Sequence, residues 1–431
     1  MNDIPKKLQV HGTVATGFES VKQLYEQQMQ TMLERDTQLC VYYRGEKVVD
    51  LWATDASAAP AKSFSADSLI NVFSSGKSLE AIAIASLVSK GLISYDARIT
   101  QYWPEFGANG KDGLTVAQLM RHEAGLANFD TSIDLEDLFT ENIKKNAIGK
   151  IIEKHAQTYK EGGGSKREYH ALTRGWIVNE VFRRVDPAGR TIGEFLREQV
   201  SGPLDADVMV GVKAEDMQRI APVHLLSPGR QLLESLKPNF LGRGIVHNFF
   251  QIMRRLIMFM PLLIKARRLN IPPPFLNVDG TDFFNHPGFA KGETPSANAN
   301  CSARGLAKIA AMMAAGGKWQ GAEYMSTQAW KAMHENPLRA HMGALLTTRF
   351  TQGGVDSFTD CGPDCSGLER DLNNGREGFY GWMGLGGSIF QWHPQRDIGF
   401  AFLPTSLHLF DLLNERGKIY QAEVLKCTAN G

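Results

Sequence analysis

Residues 71–78 read NVFSSGKS and lead into the apolar run LEAIAIASLV at residues 79–88. Ser74 and Lys77 are three positions apart, so a helix that begins here places both side chains on one face. A serine hydroxyl needs a neighbouring base to become a nucleophile, and a partly buried lysine with a depressed pKa can be that base. The N-terminus of the helix adds free backbone N–H groups beside the reacting oxygen. The stretch therefore predicts Ser74 as a nucleophile that Lys77 activates.

The spacing of this pair also fits a serine N-cap followed by a solvated lysine. The residues that follow favour the catalytic interpretation. Residues 79–88 are apolar on nearly every side, which predicts a buried helix that ends at Lys90-Gly91. A lysine in the first turn of a buried helix requires a polar partner, and S-x-x-K is a known acyl-transfer signature.

Other catalytic motifs are missing from the sequence. Residues 76–78, GKS, match the end of a P-loop, but its first glycine would fall at Asn71. The chain contains no G-x-S-x-G elbow, no H-E-x-x-H helix and no dinucleotide-binding glycine motif followed by an acidic residue. We therefore expect neither a metal ion nor an organic cofactor.

The composition is that of an ordinary globular protein. The chain has 431 residues and a formal net charge of +1, which gives no reason to expect a nucleic-acid partner. Residues 1–7, MNDIPKK, contain no apolar stretch of the kind found in secretory signals. Five scattered cysteines indicate reduced thiols, so we expect a cytoplasmic protein. For the close pair Cys361 and Cys365, two incidental thiols in a loop are favoured over a redox or metal site.

A segment in the middle of the chain has a membrane-like sequence. Residues 256–264 are uncharged and apolar, contain Pro261 and have basic residues on both sides. The run is too short to span a bilayer, which takes about 20 apolar residues. Three interpretations stay open: a helix packed on the domain, a lid over an acyl pocket, or a basic amphipathic segment that makes weak membrane contact through residues 249–268.

Strand patterns occur near both ends of the chain. Residues 39–43 and 48–52 flank one turn, and residues 388–392 and 399–403 flank another. Helical patterns lie between and beside them, with a capping box at Thr115. This order predicts an α+β fold in which one antiparallel sheet is built from both chain ends, is flanked by helices and carries an inserted, mostly helical domain. The predicted helices cover residues 18–35, 79–88, 303–315, 407–426 and most of 133–160 and 172–200. Within about residues 205–300 we expect long loops around the apolar segment.

Two further segments carry groups that could complete a site. Tyr169 lies in the loop EYHA at residues 168–171. Its phenolate could take the serine proton and return it to the leaving group, while a tyrosine that only donates a structural hydrogen bond is the alternative. Residues 381–388, GWMGLGGS, precede a strand. Their glycines allow close approach and free N–H groups, as an oxyanion hole requires, although a glycine-rich edge strand or bulge has the same pattern.

In this order, the segments resemble the serine hydrolases related to class C β-lactamases and penicillin-binding proteins, including their esterase branch. That family has S-x-x-K early, Y-x-[NSA] in the middle and [KHW]-x-G on a late strand. Residues 119–126, LMRHEAGL, match its L-x-x-H-x-x-G-L loop, and residues 300–307, NCSARGLA, resemble its S-A-R-D-L-A helix start. The resemblance covers about residues 20–405 and implies a β-lactamase/transpeptidase-like fold.

The resemblance also implies roles for individual residues and a division of the chain. Ser74 corresponds to the nucleophile, and Lys77 and Tyr169 to the pair that activates it. The backbone N–H groups of Ser74 and Leu385 correspond to the oxyanion hole. The chain is then a single catalytic domain, with a sheet subdomain at about residues 15–70 and 320–431 and a helical subdomain at about residues 71–319.

The substrate-binding positions depart from the lactam-cleaving members of that family. Ala171 stands where they usually have an asparagine that holds the substrate amide, and Trp382 stands where they usually have a lysine or histidine. The first change removes a polar contact, and the second removes a partner for a substrate carboxylate. An aromatic side chain here, followed by Met383 and Gly384, suits an apolar acyl or alcohol group.

We therefore predict a serine hydrolase that cleaves small-molecule carboxylic esters through an acyl-enzyme on Ser74. The alternatives within the family are an acyltransferase and a weak β-lactamase or D-peptidase. The alternative from another class is a non-catalytic, self-associating scaffold. The sequence predicts no particular oligomeric state.

Overall fold

The computed structural model describes residues 8–55, 64–159, 166–268, 271–278, 282–343 and 346–429. In the helix at residues 249–268, the side chains of residues 258–259, 261–263 and 265–268 lie outside this description. Residues 1–7, on which the predicted cytoplasmic location depends, also lie outside it, as do residue 160 of the predicted helical stretch and residues 269–270 and 279–281 of the predicted loops.

Most strands of the described residues belong to one large sheet. The strands are β1 (Leu8–Val14), β2 (Thr37–Tyr43), β3 (Glu46–Asp55), β4 (Ile70–Asn71), β5 (Val208–Met209), β6 (His224–Leu225), β7 (Asn300–Cys301), β8 (Lys318–Trp319), β9 (Ala322–Glu323), β10 (Leu338–Met342), β11 (Leu346–Phe350), β12 (Asp356–Ser357), β13 (Tyr380–Met383), β14 (Ile389–His393), β15 (Ile398–Pro404) and β16 (Ser406–Leu407). The large sheet has nine strands in the order β1-β3-β2-β15-β14-β13-β12-β11-β10.

The helices lie on both faces of this sheet. Most of them come from the part of the sequence between β3 and β10, which joins the two groups of strands in the large sheet. They are α1 (Glu19–Thr31), α2 (Lys77–Ser89), α3 (Val116–Met120), α4 (Thr140–Lys144), α5 (Ala147–Lys154), α6 (Thr173–Val185), α7 (Ile192–Leu196), α8 (Pro228–Ser235), α9 (Phe249–Arg268), α10 (Pro287–Lys291), α11 (Ala303–Ala314), α12 (Thr327–His334), α13 (Gly367–Asn373) and α14 (Glu415–Cys427).

The two ends of the chain meet at the centre of the sheet, where β2 pairs antiparallel with β15 and Val41 lies opposite Phe400. Side chains alternate across these strands and form two cores. Leu39 and Val41 pack with α1 and α14, while Cys40 and Tyr42 belong to the core that contains α11 and α2. Helices on both faces explain why both strands are almost entirely buried. The predicted α+β fold class is confirmed, and the proposed subdomain boundaries stay a prediction.

Several predicted elements differ from the observed ones. The terminal helix begins at Glu415 and not at residue 407, because β16 occupies residues 406–407 and the Asp411 carboxylate accepts the N–H group of Glu415. The helical stretch 133–160 is divided at Asn146, which has the left-handed φ of 65°. The prediction of long loops around the apolar segment is wrong where α8 and α10 occur. The capping box at Thr115 is confirmed.

The membrane-like segment forms α9, a helix of 20 residues that contains Pro261. Ile252 is buried with Leu226 and Ile245, and Leu256 packs against the same small core. One side of α9 therefore packs on the domain. In the described part of the chain, no helix is long and apolar enough to cross a membrane.

Candidate active site

A short 3-10 turn directly before α2 carries Ser74. The preceding residue, Phe73, has a φ of 49°, which is an unfavourable conformation for a bulky side chain. Asn71 Oδ1 accepts the N–H group of Phe73 at 2.9 Å and so supports the turn. A Cβ atom at Gly76 would collide with the carbonyl oxygen of Pro295. The local sequence thus fixes the turn through an amide cap and a glycine that permits close packing.

Lys77 is fully buried and reaches back to the serine. Its Nζ atom lies 3.3 Å from Ser74 Oγ and donates to the carbonyl oxygens of Ala171 (2.7 Å) and Ser296 (3.0 Å). Burial lowers the pKa of Lys77 well below its usual range, although Glu80 acts in the opposite direction. A lysine of lowered pKa is a neutral amine over a wider pH range, so it can accept the proton of Ser74.

Tyr169 lies on the other side of the serine. Its phenolic oxygen accepts a hydrogen bond from Trp382 Nε1 at 3.0 Å, and Lys77 Nζ lies 4.9 Å from the centre of its ring. Burial raises the pKa of Tyr169 to about 12, against hydrogen bonds with Ser74 and Trp382 that lower it. The structure therefore brings together Ser74, Lys77, Tyr169 and Trp382, and it indicates a protonated phenol at neutral pH.

A buried ion pair between Glu80 and Arg174 lies next to Lys77. Glu80 lies one helical turn after Lys77 and accepts hydrogen bonds from Arg174 Nε (2.8 Å) and Ser296 Oγ. Arg174 also donates to the carbonyl oxygens of Lys77 and Met120, both at 2.9 Å. We did not predict these supporting residues from the sequence. The available signal was the acidic Glu80 in an otherwise apolar helix.

The LMRHEAGL segment positions the loop that carries Tyr169. His122 Nδ1 accepts the N–H group of His170 at 3.1 Å, and the His122 ring packs 4.9 Å from the ring of Tyr169. His170 Nε2 accepts the N–H group of Leu126 at 3.0 Å. Burial lowers the pKa of His122 well below its usual range, and Arg174 acts in the same direction. His122 is therefore a neutral positioning residue.

The glycine-rich segment at residues 384–388 packs directly against the Ser74 turn. Ser388 Oγ donates to the carbonyl oxygen of Val72 at 2.7 Å, and a Cβ atom at Gly384 would collide with that same oxygen. Asn414 Nδ2 donates to the carbonyl oxygens of Gly384 (2.9 Å) and Ser388 (2.7 Å). These contacts hold the backbone on both sides of Leu385 beside the nucleophile.

A cavity of about 200 Å³ opens next to Ser74 and Tyr169. Trp382, Met383 and Gly384, which the sequence predicts as substrate contacts, lie in its wall. Ala171 is not among the described lining residues, and its carbonyl oxygen instead receives a hydrogen bond from Lys77. The other described lining residues are Met342, Leu346, Leu385, Gly386, Leu409, Asp411, Leu412 and Asn414.

A family model described as Beta-lactamase matches residues 21–422. The chain belongs to the beta-lactamase family. It is 30% identical to the esterase/beta-lactamase LipL of Mycobacterium tuberculosis (strain ATCC 25618 / H37Rv) over 377 residues, which cover 86% of this chain and 76% of that relative. The predicted family is confirmed, and membership identifies the protein as a serine hydrolase.

Solved structures of this family have the same fold as the chain. A penicillin-binding protein homologue from Caulobacter crescentus is 24% identical with a TM-score of 0.73, and the match covers 97% of this chain and all (100%) of that one. A family VIII carboxylesterase is 22% identical with the same TM-score of 0.73 and the same coverage of 97% and 100%. A D-amino acid amidase from Ochrobactrum anthropi SV3 is 15% identical with a TM-score of 0.62, over 96% and 99% of the two chains. The predicted β-lactamase/transpeptidase-like fold is confirmed.

The cysteine pair of this beta-lactamase family member lies in a small polar cluster. Cys361, Cys365 and Glu369 bring metal-ligand atoms within 4.8 Å of one another. Both cysteines are free thiols. Both carboxylate oxygens of Glu369 are engaged by Arg339 at 2.8 Å, so the acidic group is already paired with a cation. These contacts favour a loop that is held by the Arg339–Glu369 ion pair over a metal or redox site.

A buried charge cluster holds the cavity wall at Asp411. His247 Nε2 lies 2.9 Å from a Glu415 carboxylate oxygen and 3.9 Å from an Asp411 oxygen. Burial acts to lower the pKa of His247, but hydrogen bonds to Asp411 and Glu415 outweigh it and raise the pKa. The folded protein therefore holds this proton to a higher pH than the unfolded chain does.

We expect His247→Gln to lower the free energy of unfolding more at about pH 6 than at about pH 9. A raised pKa in the folded state contributes stability that is complete below the unfolded value, about 6.5, and is lost as the pH rises through the folded value. Urea unfolding of wild type and variant at both pH values measures the difference. An equal loss at both pH values would show that the histidine acts through packing alone.

Proposed function

We propose that the protein hydrolyses carboxylic esters through an acyl-enzyme on Ser74. The observation that supports this most directly is the 3.3 Å contact between Ser74 Oγ and the amine of buried Lys77, beside an apolar cavity. In this proposal Ser74 Oγ attacks the ester carbonyl carbon while its proton passes to Lys77. The carbonyl oxygen becomes an oxyanion, which the backbone N–H groups of Ser74 and Leu385 stabilise.

The two candidate bases then have different starting states. Lys77 has a lowered pKa and starts as the proton acceptor. Tyr169, whose pKa is about 12, starts as a phenol and relays a proton to the departing alcohol oxygen as the acyl-enzyme forms. In the second half, water attacks the acyl carbon, its proton returns through the same pair, and the carboxylic acid leaves Ser74.

The apolar cavity wall favours neutral substrates. Methionine, leucine and tryptophan side chains supply most of its lining, and none of the lining residues that the structure describes is a lysine, arginine or histidine. The charged lining residue that is described, Asp411, is acidic. Burial acts to raise the pKa of Asp411, but hydrogen bonds from His247 outweigh it and hold the pKa below its usual range. A carboxylate-bearing substrate would therefore enter without a cationic partner. The relative LipL is named an esterase/beta-lactamase, so the preference for neutral esters is supported by the cavity wall and not by that name.

A reactive-serine probe tests the proposal directly. We expect a fluorophosphonate to form a covalent adduct on the peptide that contains Ser74, detected by mass spectrometry, and a panel of aryl esters to be hydrolysed. A protein that forms no adduct and cleaves no ester would contradict the proposal and support the scaffold alternative. Product analysis with an added alcohol separates hydrolysis from the acyltransferase alternative, because the alcohol then competes with water for the acyl-enzyme.

We expect kcat/KM for an aryl butyrate to exceed that for a cephalosporin by about 100-fold or more. The butyrate is neutral and fits an apolar wall, whereas the cephalosporin carries a carboxylate that this wall leaves unpaired, and an unpaired charge in a desolvated site costs several kcal/mol. Initial rates over a concentration series give both constants. A ratio that favours the cephalosporin would overturn the preference for esters.

Trp382→Phe is expected to lower kcat by about tenfold, because it removes the hydrogen bond to Tyr169 and keeps an aromatic wall. The Trp382 hydrogen bond lowers the pKa of Tyr169, so its loss leaves the phenol a weaker proton donor. KM for a neutral ester should change little. In a Tyr169→Phe background the same substitution should have no further effect on kcat. A tenfold loss in both backgrounds would mean that Trp382 acts on the substrate and not on Tyr169.

A further inference from the structure

Exposed apolar side chains are concentrated in one part of the chain. Ten of the eleven exposed large apolar side chains among the described residues lie between Leu225 and Leu276, and the eleventh, Leu385, lines the cavity. Phe240 is 85% exposed and Phe250 is 81% exposed, although phenylalanine side chains are normally buried in water-soluble proteins. Exposed apolar side chains that cluster in this way indicate an interaction site where they share one surface.

Among its described side chains, the helix α9 has both buried and exposed apolar residues. Ile252 and Leu256 pack on the domain, whereas Phe250, Ile257 and Ile264 are exposed. These three exposed residues are seven positions apart, so they form one stripe along the helix. The neighbouring α8 packs against α9 and adds the exposed Leu233 and Leu236. We call the exposed apolar side chains between Leu225 and Ile264 the α8–α9 face.

The same part of the chain is strongly basic. From Leu226 to Val278 the sequence contains eight lysine or arginine residues and a single acidic residue, Glu234, whereas the whole chain has 47 basic and 46 acidic residues. Glu234 is itself paired with Lys237 at 2.8 Å. Arg254 is exposed and lies on α9 between Phe250 and Ile257. An exposed cation therefore lies between two exposed apolar side chains on one helix.

Residues 409–412 connect the cavity to the small core beneath α9. Phe410 packs against the small core beneath α9, and its carbonyl oxygen accepts a hydrogen bond from Arg255. The residues on either side of Phe410, which are Leu409 and Asp411, line the cavity. The buried side of α9 is thus connected to the cavity wall, and the α8–α9 face lies on the exposed side of the same helix.

We propose that the α8–α9 face binds the surface of an anionic phospholipid bilayer, with α9 lying in the plane of the interface. Amphipathic helices that carry apolar side chains on one stripe and lysine or arginine beside them bind such surfaces in this orientation. Basic clusters add electrostatic attraction to anionic headgroups. A second copy of the chain would bring two positive surfaces together, so charge disfavours the α8–α9 face as a contact between copies.

Co-sedimentation of the full chain with sucrose-loaded vesicles tests this binding, and it needs no catalytic activity. We expect the protein to bind vesicles of phosphatidylcholine with roughly 30 mol% phosphatidylserine and to stay in solution with phosphatidylcholine alone. Raising the salt concentration should weaken the binding, because it screens exposed charges. A protein that does not bind the anionic vesicles at low salt would overturn the proposal.

Matched variants locate the binding surface. Arg254→Glu on α9 should weaken partitioning by about fivefold or more. Lys331→Glu is the same charge change on exposed Lys331 of α12, and it should leave partitioning unchanged. Phe250→Ser combined with Ile257→Ser should weaken partitioning by about tenfold. Because both side chains are exposed, a thermal melt of this variant should match wild type. Equal losses in the two charge variants would overturn the proposal, since binding would then reflect overall charge.

Sedimentation velocity tests the alternative that a second copy of the chain, and not a bilayer, covers this surface. If the wild type forms a dimer that Phe250→Ser with Ile257→Ser dissociates, and the wild type does not bind anionic vesicles, then the α8–α9 face joins two copies and the bilayer proposal is wrong. A monomer that binds anionic vesicles through this face supports the proposal.

Discussion

Ser74→Ala is expected to abolish ester hydrolysis, with kcat reduced by about 10⁴-fold or more. The substitution removes only the attacking oxygen, while Lys77 keeps its hydrogen bonds to Ala171 and Ser296 and Tyr169 keeps its hydrogen bond from Trp382. The melting temperature should therefore stay close to that of wild type. Steady-state hydrolysis of an aryl butyrate and a thermal melt of the same preparation provide the two measurements.

Two neighbouring serines serve as matched controls. Ser78 Oγ has no hydrogen-bond partner among the described residues, so Ser78→Ala should leave kcat within about twofold of wild type. Ser75 Oγ lies 3.1 Å from Ser388 Oγ and from the Ser388 carbonyl oxygen, so Ser75→Ala should cause a partial loss by loosening the glycine-rich segment. If Ser74→Ala retains activity within about tenfold of wild type, the nucleophile lies elsewhere.

The sequence was most informative where the deciding contacts are local. Ser74 and Lys77 are close in the chain, and the apolar composition of residues 79–88 was enough to predict a buried helix. Tyr169 and Trp382 are far apart in the chain, and only the order of motifs in the resembling family related them to Ser74. The 3.0 Å hydrogen bond between their side chains depends on how β13 packs against the loop before α6.

The buried hydrogen bonds that surround Lys77 could not be predicted from the sequence, because the residues that form them come from distant segments. Glu80, Arg174 and Ser296 lie in or next to three different elements, and no spacing rule relates them. Arg174 is fully buried, although arginine is usually exposed unless it is paired. The length of α9 was underestimated for another reason. Pro261 normally interrupts a helix, yet α9 continues through it, with Ile252 packed on the domain.

Lys77→Met and Tyr169→Phe are each expected to reduce kcat by about 10²–10⁴-fold, and the double variant should be little slower than the slower single variant. Residues that move one proton as a unit give strongly non-additive losses. Methionine suits the lysine position because burial already favours a neutral side chain there. Lys90→Met at the far end of α2 and Tyr95→Phe, which alters another buried tyrosine, are controls that should stay within about twofold.

The pH dependence assigns the two roles. Lys77 must be unprotonated to accept the serine proton, so kcat/KM of wild type should fall at low pH as Lys77 gains a proton. Because burial lowers the pKa of Lys77 well below its usual range, this acidic limb should lie well below the pH at which an exposed lysine titrates. Tyr169→Phe should keep this acidic limb at a lower rate, and Lys77→Met should lose it. An acidic limb that persists in Lys77→Met would assign the first proton transfer to another group, and full additivity of the two losses would show that Lys77 and Tyr169 act independently.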